Sequence, residues 1–249
     1  MIEWRDEAFV LAARPHGETA AVVQLLTREH GRHAGLLPGG QGTRQRPVLQ
    51  PGNGVAAYWR ARLADHLGTL TLELTDAHAA RFLADPARLD ALSSASAIAE
   101  AALPEREAQP GAYEGFAALL AALRASAWAE SYVQWEVLML RALGFGLDLA
   151  QCAAGGDNNQ LAYVSPRTGR AVSLAAGEPY KERLLPLPGF LIGRGGGGPL
   201  EVAQGLRLTA HFLEKHVFHP QDRPLPAARG RLARRFEQQP SEGSEHNGL

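Results

Sequence analysis

Arginine is the chemistry-bearing residue that this sequence concentrates. Between positions 28 and 62 stand Arg28, Arg32, Arg44, Arg46, Arg60 and Arg62 against a single acid, Glu29. Guanidinium groups gathered without acids can pair with phosphate, and a formal net charge of -1 for the whole chain does not forbid it. Five more arginines and no acid lie between 223 and 235, next to a Gly/Ser/Glu-rich tail, and these read as a solvated helix end. Lys181 and Lys215 are the only lysines among 25 basic residues, so part of the arginine richness is compositional habit. Charge alone therefore leaves both a phosphate-binding surface and a solvated face open for the first cluster.

Other chemistry finds little support. Gly193-Arg194-Gly195-Gly196-Gly197-Gly198 has neither the Lys-Ser/Thr nor the strand-turn-helix setting of a phosphate loop, and reads as a flexible linker. His211 and His216 are five apart, which does not stack two ligands on one helix face as an i, i+4 pair would. Cys152 is the one cysteine; it excludes an intramolecular disulfide and a zinc site built from several thiolates. No Gly-x-Ser-x-Gly elbow occurs. No catalytic residue, metal ligand or cofactor is assigned.

The elements that must position the arginines follow from periodicity. A chain of 249 residues with 45% apolar and 20% charged residues is a folding protein of one or two domains. Short apolar runs at 9–11, 21–26 and 33–37, separated by the turns 14–18 and 28–31, predict strands. After a Gly/Pro/Gln/Arg-rich loop from 38 to 54, Val55, Ala57 and Trp59 alternate with small or polar residues, and so do Leu70, Leu72 and Leu74. Five strands in so short a span, with no room for crossover helices, suit a small barrel of the oligonucleotide-binding (OB) type.

Beyond residue 76 the pattern turns helical. Phe116, Leu119, Leu120 and Leu123 share one helix face; Trp128, Tyr132, Trp135 and Met139 mark a second helix ending at Gly144 and Gly146; a third spans 200 to 217. The predicted organisation is an α+β chain: a barrel over 1–76, a helical domain over 77–238 with an irregular insertion at 150–199, and a disordered tail at 239–249. The longest apolar stretch, 117 to 123, is far short of a membrane span, which needs roughly 20 residues. Residues 1–7 lack the basic and apolar regions of a secretory leader, so they are expected to be present in the mature protein, and the single cysteine points to the cytoplasm.

Four stretches in this order resemble the bacterial RecO family of recombination mediators. They are Phe9-Val10-Leu11 with Arg14-Pro15-His16-Gly17-Glu18-Thr19, then Leu26-Thr27-Arg28-Glu29-His30-Gly31, then Leu140 to Leu149 (LRALGFGLDL), and Gly205-Leu206-Arg207-Leu208 with His211-Phe212-Leu213-Glu214. The resemblance implies an N-terminal OB barrel, a helical domain, a zinc-finger-like insertion and no covalent catalysis. Many family members hold zinc with two Cys-x-x-Cys pairs; here Gly155 stands three residues after Cys152, and Ser173 and Ala176 stand where the second pair would fall. A metal-free insertion ordered by Leu161, Tyr163, Val172 and Leu174 is therefore expected, with Cys152 inert.

The resemblance also implies the partners. These are single- and double-stranded DNA, the acidic C-terminal tail of the single-stranded DNA-binding protein, and the companion protein RecR, with annealing and loading of the recombinase RecA as outcomes. The six arginines from Arg28 to Arg62 are the expected DNA contacts, the loop from Gly39 to Arg46 foremost, with Tyr58 or Trp59 free to stack on a base. Arg124, Arg141 and Lys215 are the candidate cations for the tail carboxylate. A general single-stranded DNA-binding or regulatory protein would use the barrel alone and ignore the tail. A hydrolase or transferase hidden in the helices would need a nucleophile and base that cannot be named. The resemblance places the protein in the bacterial cytoplasm, at the nucleoid, with no membrane partner.

Overall fold

The computed structural model describes residues 1–238, so the expected disorder of 239–249 lies outside the described residues. Its class is mixed α+β, a five-strand sheet followed by helices. The strands are β1 (Ile2–His16), β2 (Ala20–Thr27), β3 (Arg32–Leu37), β4 (Gly54–Ala61) and β5 (Thr69–Asp76). They pair in the order β1-β2-β3-β5-β4, with β4 returning to β1. All pairings are antiparallel except β3 with β5, a single parallel step at Leu36 and Thr69. Alternation puts Val10, Val23, Leu25, Trp59 and Leu70 in one core.

The turn between β2 and β3 depends on one glycine. Gly31 has φ +67, and a Cβ there would sit 1.9 Å from the Glu107 carbonyl oxygen, so both the backbone angle and the close approach require glycine. The long loop after β3 is pinned. The Gln41 side chain donates to the carbonyls of Gly17 and Ala20, and Asn53 donates to Pro47 O while accepting from the Ala79 amide.

The chain divides into two compact units. The first comprises Met1–Arg124 with Pro226–Arg229, the second Ala125–Leu225 with the segment that starts at Gly230. Strands give way to helices at residue 76, but compactness carries the first unit on to Arg124. It holds α1 (His78–Arg81), α2 (Pro86–Ala102) and α3 (Pro110–Ala122). Pro86 opens α2 behind Asp85, whose carboxylate accepts from the amides of Ala87 and Arg88. Phe9 of β1 meets Tyr113 and Phe116 of α3 at ring separations of 5.1 and 5.3 Å, and Arg14 pairs with Glu100 of α2 at 2.6 Å. That packing binds the helices to the strands.

In the second unit, α4 (Trp128–Ala142) ends before Gly144 at φ +86. Between α4 and α6 (Pro199–Leu213) lies a small sheet of β6 (Leu161–Val164), β7 (Ala171–Ser173) and β8 (Leu185–Pro186), with α5 (Leu174–Gly177) after β7. The last helix is α7 (Ala227–Glu237). Leu161 and Val172 are buried as expected, whereas Leu174 is exposed because α5 begins there and turns it outward. The glycine run 193–198 is also more fixed than a linker: the Glu201 carboxylate accepts from the amides of Gly189 and Gly197, clasping the run to the start of α6. At the heart of this unit Glu136 is fully buried and accepts hydrogen bonds from the hydroxyls of Tyr132 and Thr209.

Candidate nucleic-acid interface

The parity of β4 decides which aromatic faces out. Val55, Ala57, Trp59 and Ala61 are buried, and Ala56, Tyr58 and Arg60 point away from the core. Trp59 is a core residue whose Nε1 donates to Leu67 O at 2.9 Å. Tyr58 is the outward one. Its hydroxyl donates to Glu3 Oε2 at 2.5 Å, and the Arg5 guanidinium stands 5.4 Å from its ring centre. The bond to the Glu3 carboxylate raises the tyrosine pKa, so the ring stays a neutral stacking surface.

The structure separates the six arginines into two groups. Arg28 pairs with Glu7 at 2.8 Å and with Glu114 at 3.7 Å, and lies 5.1 Å from the Tyr113 ring centre. Arg32 donates from Nε to Leu103 O at 2.8 Å and from Nη1 to Gln24, leaving its side chain 17% exposed. These two guanidiniums are engaged within the protein. Arg44, Arg46, Arg60 and Arg62 are exposed, and among the described residues no carboxylate lies within 4.0 Å of any of them. Arg44 and Arg46 sit on the pinned loop after β3, and Arg60 and Arg62 at the end of β4.

A depression of about 630 Å³ opens on the outward side of β1, β4 and β5. Its lining carries Tyr58, Arg5 and Arg28 against Asp6, Glu7, Glu29 and Glu73, so its net charge is negative and its stacking surface is the Tyr58 ring. The positive charge that no carboxylate of the described residues offsets therefore lies at Arg44, Arg46, Arg60 and Arg62. Arg5, which no window from 28 to 62 could include, was legible in the Glu3, Arg5, Glu7 alternation of β1.

The three candidate tail cations do not come together. Arg124, in the first unit, lies 3.6 Å from Asp76, which also binds Arg81 at 2.8 Å. In the second unit Lys215 donates to the carbonyls of Pro166 and Arg167. Arg141, exposed at the last turn of α4, packs its stem against Gly146. A hollow of about 230 Å³ is lined by Phe145, Gly146, Leu147, Phe212, His216 and Arg167; neither Lys215 nor Arg141 lines it, but Lys215 bonds to its Arg167 carbonyl and the Arg141 stem lies next to its Gly146. His216 stacks on Phe145 at 4.6 Å and 12°, and its burial lowers the imidazole pKa, favouring the neutral ring.

Cys152 is less inert than its isolation suggests. Burial pushes the thiol up, but hydrogen bonds from Ser173 and from the amides of Ala154 and Gly156 outweigh this and bring the pKa to about 7. Zinc does not fit here. Ser173 already engages the sulfur, a Cβ on Gly156 would meet Ser173 Oγ at 2.2 Å, and neither Gly155 nor Ala176 can ligate. Thiolate absorbance should appear with a midpoint of about 7 and vanish in Cys152→Ser. Because the folded-state pKa lies below the ordinary 9.0, the thiolate supports the fold fully above that value, and its share is lost as pH falls through about 7. A midpoint at the ordinary value would show that the amides do not reach the sulfur.

Comparison with known proteins agrees with this architecture. Residues 1–78 match a family model described as Recombination protein O N terminal, and residues 83–224 one described as Recombination protein O C terminal. The chain is 61% identical over 237 residues to a DNA repair protein RecO of Rhodospirillum centenum, covering 94% of this chain and 95% of the relative. It is 50% identical over 249 residues to the protein of the same name from Rhodospirillum rubrum, covering 95% and 97%. To that of Caulobacter sp. strain K31 the identity is 51% over 230 residues, covering 92% and 95%.

Proposed function

The chain belongs to the RecO family, and from that premise we propose that it is a DNA repair and homologous-recombination mediator working through binding surfaces, without covalent catalysis. The proposal reads the ring of five strands as an OB-type barrel that holds single- and double-stranded DNA by its phosphates. One observation carries it: Arg44, Arg46, Arg60 and Arg62 are exposed and, among the described residues, free of carboxylates, on a scaffold that keeps them in place. Such contacts ignore sequence, which suits a protein that must act wherever a gap forms. No helix among the described residues is long and apolar enough to cross a membrane. The proposed setting is the bacterial nucleoid in the cytoplasm.

The experiment is titration of a fluorescent single strand at several salt concentrations. Four phosphate contacts on a single strand predict a slope of log affinity against log salt of about -3. Saturable binding with a flat slope would remove the arginines from the site.

The second surface is the hollow lined by Arg167, with Arg141 and Lys215 next to its lining residues. An acidic tail that ends in an aromatic residue and a free carboxylate needs an apolar slot with cations at its rim, and Phe145, Leu147 and Phe212 supply the slot. The tail of the single-stranded DNA-binding protein is the proposed occupant, with RecR as a further partner and annealing and RecA loading as the outcomes. Arg141→Glu combined with Lys215→Glu should weaken a fluorescent tail peptide roughly tenfold or more, whereas Arg124→Glu should not. Equal loss in both variants would displace the tail from this hollow.

A further inference from the structure

We infer that Arg106 is a positioning residue that fixes the β4–β5 loop, residues 62–68, in the shape that presents Arg62 and Leu63 to a single strand. The inference rests on the nucleic-acid reading above and adds a residue that contacts no DNA itself. Arg106 lies four residues past the end of α2 with φ +61, a backbone state that a residue other than glycine keeps only where its surroundings impose it. Its amide donates to Arg32 O at 2.7 Å. Its guanidinium reaches across about forty residues of chain, donating from Nη1 to Ala64 O and from Nη2 to His66 O at 2.8 Å.

A planar fork suits two carbonyls so spaced, and an ammonium does not. The far end of the loop is held as well. Trp59 Nε1 donates to Leu67 O, the Leu36 amide donates to Gly68 O at 3.0 Å, and Gly68 has φ +67 with the Trp59 ring where a Cβ would stand. What this frame leaves outside is Arg62, without a carboxylate partner among the described residues, and Leu63, 53% exposed although apolar. Both Nη groups of Arg106 are engaged and its side chain is 27% exposed, so its positive charge acts through the loop rather than on phosphate.

The test uses the full chain, a fluorescent oligo-dT of about 16 nucleotides, and amide hydrogen exchange over 62–68. Arg106→Lys keeps the charge but loses the fork; Arg106→Gly loses the side chain while accepting the left-handed backbone, so it separates clamp from strain. Both should raise exchange in the loop and weaken the oligonucleotide roughly five- to tenfold with the salt slope unchanged. Arg62→Glu, the control, should lower the slope by about 0.7 with ordinary exchange. Wild-type affinity in Arg106→Lys would overturn the inference, and so would a slope lowered as far as in Arg62→Glu, since Arg106 would then be a phosphate contact. If Arg62→Glu changes neither affinity nor slope, the nucleic-acid reading of this edge fails and the inference falls with it. Exchange identifies that case, because the loop would still open in the Arg106 variants.

Discussion

Replacing Arg44 and Arg46 together by glutamate should lower single-strand affinity roughly 100-fold near physiological salt and reduce the salt slope by about 1.4. Two lost contacts account for the slope, and two carboxylates set beside the phosphates add repulsion to the affinity loss. The fold should be indifferent. Both side chains are exposed, neither has a carboxylate within 4.0 Å among the described residues, and the loop is held by Gln41 and Asn53 rather than by its arginines. Arg32→Glu is the instructive contrast, because that guanidinium donates to Leu103 O and to Gln24. A carboxylate there cannot donate, so the penalty belongs to the melting temperature and not to the salt slope. If the double variant bound with wild-type affinity and slope at every salt concentration, the loop after β3 would be no part of the DNA surface.

That contrast also shows where sequence reasoning stops. Period-two alternation in Val55, Ala57 and Trp59 was enough to place β4 in a sheet, because strand parity is a local property. The stripe Trp128, Tyr132, Trp135 and Met139 was enough for α4. A sum of charges over 28–62, however, counts Arg32 equally with Arg44. What distinguishes them is a carbonyl at Leu103, 71 residues along the chain, and no window of sequence contains both. The glycine run at 193–198 reads as a linker for a different reason: Glu201 stands only four residues past Gly197, but nothing in its type announces that it folds back to clasp the run. Lys215 and Arg141 were legible as cations on helices. That they touch residues lining one hollow while Arg124 pairs with Asp76 required the turn from Ser165 to Gly169 to be placed in space.

Trp59 and Tyr58 are neighbours in sequence on opposite faces of one strand, so their alanine variants should fail in different assays. Trp59→Ala should cost roughly 3–5 kcal/mol of stability, because it empties a site that is 1% exposed. It also removes the donor to Leu67 O and the ring that stacks against Trp4 at 5.6 Å. The cost falls on the first unit, so denaturant unfolding followed there should shift to lower midpoint. Tyr58→Ala should change stability little, since its hydroxyl bond to Glu3 is exposed and water replaces it readily. Its loss belongs to binding, roughly 1–3 kcal/mol if a base stacks on the ring, and it should not alter the salt slope because stacking releases no counterions. Insensitivity to salt separates the tyrosine from the arginines around it. A Tyr58→Ala protein with wild-type affinity would mean that the strand follows the arginine loop and the end of β4 without crossing the face between them.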